Sequence, residues 1–329
     1  MRDPAFWWRP PGIAAGLLAP LAAPYGAIAA WRLAQSGRAV GIPVVCVGNL
    51  TVGGAGKTPT AIAVADLLHA AGRRPFLLSR GYGGSLKGPV QVDMAMHRAA
   101  DLGDEPLLLV RTAPTIVAAD RVAGAEAARA AGADVVVMDD GFQNPSLEKN
   151  LSILVIDGRR GVGNGKVFPA GPLRAPLSVQ LARAQALLVI GRVADAAEVV
   201  QEAQARGIAI FHGRLEPDAE ALAVLQERPV LAFAGIGDPE KFFATLTGAG
   251  VEVRARQVFP DHHRYRRDEA SDLIARAKRE RLVLATTEKD WVRLKGQDDL
   301  AALAGVARAL PVRLAVTEEG AFRDLVLKI

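Results

Sequence analysis

Residues 42–72 read "IPVVCVGNLTVGGAGKTPTAIAVADLLHAAG" and combine an apolar β-branched run, a glycine-rich turn and an alanine-rich segment. The apolar residues of the last segment recur with helical spacing, so the sequence predicts a buried strand, a loop and a helix. Within the turn, "TVGGAGKT" matches the phosphate-binding Walker A pattern G-x-x-x-x-G-K-[ST], except that Thr51 replaces the first glycine. We therefore expect a nucleotide-binding loop.

Such a loop holds phosphate by backbone and side-chain contacts together. Its glycines let backbone amides face the anion, and the amino terminus of the following helix favours negative charge. Lys57 would reach the terminal phosphates as a catalytic residue, and Thr58 would ligate Mg²⁺. A glycine-rich turn without nucleotide is the alternative, which the G-K-[ST] pattern disfavours. The predicted nucleotide-binding residues are Thr51, Val52, Gly53, Gly54, Ala55, Gly56, Lys57 and Thr58.

A second apolar run, "VVVM", leads directly into Asp139 and Asp140 of "DDGFQ". Both carboxylates would lie at a strand end beside the phosphate loop, as in a Walker B site. Since Mg²⁺ prefers oxygen ligands, Thr58, Asp139 and Asp140 are the predicted metal-binding residues. The alternative is a capping pair at a strand-to-turn junction. ATP is favoured over GTP, because "TTEKDW" is the nearest match to the guanine signature Asn-Lys-x-Asp and lacks its spacer.

Short β-branched runs alternate with helical stretches along the chain, which is typical of a parallel sheet covered by helices. The sequence predicts an α/β fold with a mostly parallel, helix-flanked sheet and a second, smaller α/β domain. Predicted strands lie near 42–48, 75–79, 114–118, 134–139, 151–156, 186–190, 229–234, 251–258, 282–286 and 311–316. Predicted helices lie near 57–70, 120–131, 194–206, 239–248, 267–279 and 298–309. The predicted units are an apolar segment (1–35), a core domain (36–216) and a smaller domain (217–329), with two extended pieces around a turn at 213–228.

Composition restricts the possible partners. The 329 residues carry a net charge of +5, but the basic residues are scattered, which argues against nucleic acid. An anionic lipid surface or a phosphorylated substrate fits this charge equally well. Cys46 is the single cysteine, so no disulfide can form within the chain, and its apolar surroundings predict a core residue.

An uncharged run from Pro10 to Trp31 marks the amino terminus, flanked by Arg2, Arg9, Arg32 and Arg38. Its length could span a bilayer, but two prolines, Pro20 and Pro24, are expected to interrupt it. Apolar side chains at near-helical spacing, with two tryptophans, instead predict a segment lying in the interface of an anionic membrane. A helix packed on the protein's own core is the alternative, and a cleaved signal peptide is disfavoured. The residues of the predicted membrane face are Ile13, Leu17, Leu21, Ile28 and Trp31, with Trp7 and Trp8 beside it.

Eight motifs follow one another along the chain: "FWW", "VGNLTVGGAGKTP", "SRGYGG", "GDEPLLL", "DDGFQ", "GNGKVFPAGPLR", "FPDHH" and "TTEKD". In this order they resemble the tetraacyldisaccharide 4′-kinases of lipid A biosynthesis, from end to end. That family also lacks the first Walker A glycine. The resemblance implies a P-loop NTPase-type fold with an apolar, membrane-associated amino-terminal helix. It further implies phosphoryl transfer from ATP, with Mg²⁺, to the 4′-hydroxyl of tetraacyldisaccharide 1-phosphate, giving lipid IVA.

The same resemblance implies roles for residues outside the phosphate loop. Asp104 matches the family's proposed catalytic base and His262 its histidine partner. A carboxylate can accept the proton of a sugar hydroxyl, and a histidine can orient it. Tyr82 and Arg174 are the implied substrate-binding residues. A helix cap at Asp104, a polar turn at His262 and a solvated charge at Arg174 are the alternatives.

The family resemblance also implies a place in the cell and a set of partners. The expected location is the cytoplasmic face of the bacterial inner membrane. The expected partners are the acylated disaccharide lipid and an anionic membrane surface, without nucleic acid or an obligate protein partner. Two positions depart from the family pattern: Ala175 replaces a common glutamate and Asn144 a common histidine. A P-loop ATPase switch that binds a protein, or a soluble small-molecule kinase, are the competing functions.

Overall fold

The computed structural model describes residues 3–193 and 195–329. The predicted flanking charge Arg2 and Ala194, the first residue of one predicted helix, lie outside the described residues. The helices are α1 Ile13–Ala34, α2 Lys57–Ala70, α3 Ala99–Leu102, α4 Asp104–Leu109, α5 Arg121–Ala130, α6 Leu177–Leu181, α7 Ala197–Ala205, α8 Ala219–Gln226, α9 Pro239–Gly248, α10 Arg267–Glu280, α11 Glu288–Leu294, α12 Ala301–Val306 and α13 Glu319–Leu327. Short 3₁₀ helices cover Ala5–Trp8 and Asp298–Leu300.

The strands form two separate sheets. They are β1 Val44–Asn49, β2 Pro75–Ser79, β3 Val90–Gln91, β4 Thr115–Val117, β5 Val135–Asp139, β6 Leu151–Asp157, β7 Ala186–Ile190, β8 Ala209–Pro217, β9 Val230–Ala234, β10 Val253–Val258, β11 Val283–Thr287, β12 Arg308–Leu310 and β13 Val312–Val316. The larger sheet has nine strands in the order β13-β8-β7-β6-β1-β5-β2-β4-β3, and the smaller has four in the order β10-β9-β11-β12.

The larger sheet is parallel except at its edges, where β13 and β3 run antiparallel to their neighbours. Helices cover both faces, which explains why its central strands are continuously apolar. Ala61 and Leu68 of α2 pack on one face with Phe322 of α13. Ala125 of α5 and Leu181 of α6 pack on the other. The phosphate-loop strand β1 lies between β5 and β6, so its carboxyl end opens at the middle of the sheet.

The smaller sheet is parallel throughout and also has helices on both faces. Phe243 and Leu246 of α9 pack on one side, and Leu273 of α10 and Leu303 of α12 pack on the other. This arrangement agrees with the predicted second α/β unit. Between the two sheets lies a cleft of about 2380 Å³, lined by the carboxyl ends of strands from both.

Several segments differ from the sequence-based expectation. Residues 213–228 contain the end of β8 and helix α8 rather than two extended pieces, because Asp218 caps the helix by accepting a hydrogen bond from the Ala221 amide at 3.0 Å. The helix expected at 298–309 ends at Val306, and a short strand, β12, follows. Strand β13, expected within the second series, pairs with β8 of the larger sheet. The division into three units stays a prediction. Its boundary at residue 217 assigns β13 to the smaller domain, whereas β13 pairs with a strand of the larger sheet.

Helix α1 runs through Pro20 and Pro24, so the expected interruption is wrong. The two missing N–H donors leave most of the hydrogen-bond ladder of a 22-residue helix intact. The five predicted membrane-face side chains are between 59% and 85% exposed, which contradicts packing of this face on the protein's own core. Trp7, by contrast, is buried and donates from Nε1 to the Pro169 carbonyl at 3.0 Å, so its ring is not part of that exposed face.

Candidate active site

The phosphate loop connects β1 to α2 at the mouth of the cleft. Gly53 and Gly56 have φ angles of +98° and +92°, a region that residues with a Cβ rarely adopt. A Cβ at Gly56 would also approach Ile190 Cδ1 to 2.5 Å. Thr51 instead pairs with Leu173 in a short antiparallel bridge, and its φ is not positive. The backbone at this position therefore does not require the glycine of the standard pattern.

The side chains that follow the loop point toward the carboxyl end of β5. Thr58 Oγ1 donates to Asp139 Oδ2 at 2.9 Å. Lys57 Nζ donates to the Gly53 carbonyl at 3.1 Å and lies 3.8 Å from Asp140 Oδ2. The cleft is lined by all four of these residues, Lys57, Thr58, Asp139 and Asp140. The structure thus brings the predicted Walker A and Walker B residues together.

Asp139 and Asp140 differ in what they contact. Asp139 is buried, and its Oδ1 has no hydrogen-bond partner among the described residues. Burial and the nearby Glu105 charge raise the pKa of Asp139 to about 7. Asp140 has both oxygens engaged by Arg174, at 2.8 Å from Nη1 and 3.2 Å from Nη2. Burial raises the pKa of Asp140, but the Lys57 and Arg174 charges outweigh that effect and lower it.

These contacts fit a Mg²⁺ ion held through Asp139. Its uncompensated Oδ1 is a hard oxygen donor, and Thr58 supplies a second oxygen beside it. The described residues contain no group of three or more His, Cys, Asp or Glu side chains arranged to hold a metal ion. The remaining ligands would therefore come from nucleotide phosphates and water, as Mg²⁺ commonly requires in phosphoryl-transfer sites.

Across the cleft, the structure brings Asp104 and His262 together. Asp104 begins α4 beside the larger sheet, and His262 follows β10 of the smaller one. Nδ1 of His262 lies 3.4 Å from Oδ2 of Asp104. The exposed ring of Tyr82 packs against the imidazole at an interplanar angle of 60°, with centroids 5.5 Å apart. His262 has a φ of +55°, so a non-glycine residue adopts the left-handed conformation at this turn.

The electrostatics of this pair favour an ionised carboxylate. Burial would raise the pKa of Asp104, but the hydrogen bond to His262 and the Arg293 and Lys289 charges hold it well below its usual range. The same hydrogen bond raises the pKa of His262 above its ordinary value of 6.5, although partial burial opposes that change. Asp104 is therefore ionised at neutral pH, as a proton acceptor must be.

Two cations of α11 belong to this site, although the motifs gave them no role. Arg293 donates to Asp104 Oδ2 from Nε at 3.0 Å and again from Nη2. Lys289 Nζ donates to Glu105 Oε1 at 2.8 Å. The available signal was the "TTEKDWVRL" stretch, in which the Thr287 side chain caps a short helix that carries both residues on its cleft side. Helix α11 thereby joins the smaller sheet to α4.

Among the described residues, the side chains at the two departures from the family pattern make no hydrogen bond to Asp104, Asp139 or Asp140, although Asn144 lines the cleft. Asn144 Oδ1 accepts from the amide of Ser146 at 2.9 Å and from its hydroxyl at 2.6 Å, which is a turn-forming arrangement. Ala175 is buried in the core of the larger sheet, next to the Arg174 that engages Asp140. Because Arg174 pairs with Asp140 at 2.8 Å inside the cleft, it is not the solvated loop charge that was the alternative.

The apolar helix reaches the same cleft. Tyr25, Ile28 and Arg32 of α1 line its wall, so the exposed apolar face described above continues into the site. By length and composition alone, α1 is long and apolar enough to cross a membrane, and most of it is not buried within the protein. The site thus joins an anion-binding loop, a buried carboxylate and an apolar surface.

Comparison with known proteins agrees with this geometry. The family model for tetraacyldisaccharide-1-P 4′-kinase matches residues 14–329. The tetraacyldisaccharide 4′-kinase of Methylobacterium sp. (strain 4-46) is 58% identical over 98% of this chain and 95% of its own length. That of Rhodopseudomonas palustris (strain BisB18) is 53% identical over 100% of this chain and 96% of its own. The structure of LpxK from Aquifex aeolicus in complex with ATP superposes with a TM-score of 0.75 at 27% identity, covering 96% of this chain and 99% of that one. The chain therefore belongs to the tetraacyldisaccharide 4′-kinase family.

Proposed function

We propose that this kinase transfers the γ-phosphate of ATP to the 4′-hydroxyl of tetraacyldisaccharide 1-phosphate, with Asp104 as the base. The observation that carries the proposal is the shared cleft, in which the phosphate loop faces a buried, ionised carboxylate paired with a histidine. A nucleotide phosphate and an acceptor hydroxyl can meet between them. The products are ADP and lipid IVA.

In the proposed reaction, Lys57 and the loop amides hold the β- and γ-phosphates. The carboxylate of Asp104 accepts the proton of the 4′-hydroxyl as its oxygen bonds to the γ-phosphorus, and the bond from that phosphorus to the β,γ-bridging oxygen breaks. His262 holds Asp104 in place by the contact at 3.4 Å. Because such transition states carry their charge on the transferred phosphoryl oxygens, positioning and positive charge supply most of the catalysis.

Other residues of the cleft have supporting roles in the proposal. Mg²⁺ would neutralise phosphate charge, held by Asp139 and Thr58. The charges of Lys57 and Arg174 together keep Asp140 ionised, and Arg174 adds positive charge near the phosphates. The exposed ring of Tyr82 offers a flat surface for a sugar.

The acceptor is a lipid, so the enzyme has to work at a membrane. We propose that the exposed face of α1 binds the inner membrane from its cytoplasmic side, where ATP is available. The same face continues to the cleft at Ile28 and Arg32, which gives the acyl chains a path from the bilayer to the site. The apolar surface also favours a lipid acceptor over a soluble sugar.

A direct assay tests the proposal. The purified chain is incubated with ATP, Mg²⁺ and tetraacyldisaccharide 1-phosphate, and the lipid product is identified by mass spectrometry. We expect the mass of one added phosphate, and no addition with an acceptor that lacks the 4′-hydroxyl. ATP hydrolysis without phosphorylated lipid would contradict the kinase function and support a nucleotide switch.

A further inference from the structure

The proposed base is held by more than its histidine partner. Oδ2 of Asp104 accepts two hydrogen bonds from Arg293 and lies next to Nδ1 of His262. Oδ1 accepts from the backbone amide of Glu105 at 3.2 Å. Arg293 and His262 therefore contact the same carboxylate oxygen, Oδ2. Asp104 and Arg293 are almost fully buried, with side chains 3% and 7% exposed.

Arg293 is itself fixed by the end of strand β9. Its Nη1 donates to the Gly235 carbonyl at 2.7 Å and to Asp290 Oδ1 at 2.8 Å. Asp290 is anchored in turn, since it accepts from the Gly235 amide at 3.0 Å and the Tyr265 hydroxyl at 2.8 Å. All three nitrogens of the guanidinium group thus donate hydrogen bonds, which leaves the group little rotational freedom.

The same backbone carbonyl also sets the position of the histidine. The amide of His262 donates to the Gly235 carbonyl at 3.1 Å, so His262 and Arg293 share one anchor. Both side chains then meet Asp104, which belongs to the other sheet's side of the cleft. The residue after strand β9 of the smaller sheet therefore positions both His262 and Arg293, and both side chains contact Oδ2 of Asp104.

We propose that Arg293 is a positioning residue that holds Oδ2 of Asp104 and thereby directs Oδ1 toward the acceptor hydroxyl. This inference rests on the proposed function, in which Asp104 is the base. Two N–H groups of the rigid guanidinium converge on Oδ2 and hold that oxygen in one position, which the single, freely rotating ammonium group of a lysine cannot do. A catalytic group displaced by about 1 Å can lose about 10²-fold in rate, so the orientation matters for turnover.

Arg293 also affects the protonation of the base. The charged groups that face Asp104 are Arg293, His262 and Lys289, with Glu105 adjacent in sequence. Removal of Arg293 takes away one of the charges that lower the pKa of Asp104. That pKa then rises, and the carboxylate becomes protonated at a higher pH than in the unmodified enzyme. The acidic limb of kcat/KM should therefore move to higher pH.

Kinetics of Arg293→Met and Arg293→Lys test the proposal. We expect Arg293→Met to lower kcat about 10- to 100-fold with little change in the KM for ATP, and to move the acidic limb of kcat/KM to higher pH. Arg293→Lys keeps the charge but loses the paired donors, so it should lower kcat with a smaller shift. The double variant Asp104→Ala/Arg293→Met should be about as slow as Asp104→Ala alone.

A matched control comes from helix α10, outside the cleft. Arg276 donates to Glu280 Oε1 at 3.1 Å, is 37% exposed and does not contact Asp104. Arg276→Met should keep the kcat and pH profile of the unmodified enzyme. Thermal unfolding of each variant separates loss of folding from loss of positioning; if Arg293→Met does not fold, Arg293→Lys decides.

The outcomes separate the inference from the function on which it rests. Full activity of folded Asp104→Ala would contradict the assignment of the base. A slow Asp104→Ala together with Arg293 variants of unchanged kcat and pH profile would overturn the positioning role alone. Single losses that multiply in the double variant would likewise overturn it, since they would show that Arg293 acts independently of Asp104.

Discussion

Nδ1 of His262 lies 3.4 Å from Oδ2 of Asp104, although Asp104 begins α4 beside the larger sheet and His262 follows β10 of the smaller one. The larger sheet's side of the cleft therefore carries the proposed base, and the smaller sheet's side carries its histidine partner. Ion pairs also join the two sides at the opposite rim, where Arg159 and Lys241 bridge to Asp238 and Asp157 at 3.1 and 3.3 Å. The relative placement of the sheets thus controls the geometry of the proposed base.

The first prediction is that Asp104 and His262 act as one unit. We expect Asp104→Ala to lower kcat by about 10²- to 10⁴-fold, the usual contribution of a general base, and His262→Ala to lower it less. The double variant should lose far less than the product of the two single losses. Steady-state kinetics with saturating ATP measure these values. Multiplicative losses would show independent roles.

The second prediction concerns the charge of His262. Its pKa is raised by the hydrogen bond to Asp104, so the stabilisation from this contact is fully present below pH 6.5 and is lost as the pH rises through the folded-state value. NMR titration of the ring should give a pKa above 6.5, and a lower one in Asp104→Asn. The difference in Tm between the unmodified chain and His262→Asn should shrink from pH 6 to pH 9. An unchanged ring pKa in Asp104→Asn would contradict the pairing.

The third prediction concerns the phosphate loop. Lys57→Ala should keep the fold but lose most phosphoryl transfer, because Lys57 is the buried cation that we propose contacts the terminal phosphates. Lys278→Ala, at an exposed lysine on α10 outside the cleft, is the matched control and should turn over normally. Circular dichroism checks the fold, and product mass spectrometry checks the transfer. Normal turnover by folded Lys57→Ala would refute the nucleotide role of the loop.

The fourth prediction separates the two aspartates by their metal dependence. Asp139 has an uncompensated oxygen, whereas both oxygens of Asp140 contact Arg174. Asp139→Asn should therefore raise the Mg²⁺ concentration for half-maximal rate more than Asp140→Asn does, and chelation of Mg²⁺ should stop turnover of the unmodified enzyme. Rates are measured across a Mg²⁺ titration at fixed ATP. Identical titration curves for both variants would argue for a structural pair.

The fifth prediction concerns the exposed face of α1. Replacing Ile13, Leu17 and Leu21 by serine should move the protein from anionic vesicles into solution, because it removes most of the apolar area that would enter the interface. Serine at Val224 and Val306, two exposed apolar residues elsewhere, is the control and should leave vesicle sedimentation unchanged. Equal sedimentation of both variants would assign the lipid contact to another surface.

Local sequence determined much of the fold and part of the site. Glycines at 53 and 56 and the apolar run before them specify the phosphate loop, because only a narrow set of backbone angles turns amides toward an anion. The run before Asp139 likewise specifies a buried strand with a carboxylate at its end. The order of the motifs was enough to identify the family.

Tertiary structure decided what depends on distant partners. Strand β13 was expected in the second series of strands, but it pairs antiparallel with β8 at the edge of the larger sheet. Arg293 lies 189 positions from Asp104 and has no local motif that links them. The different contacts of Asp139 and Asp140 depend on which carboxylate Arg174 reaches. Sequence periodicity reports local geometry, whereas ion pairs between sheets depend on how the two are packed together.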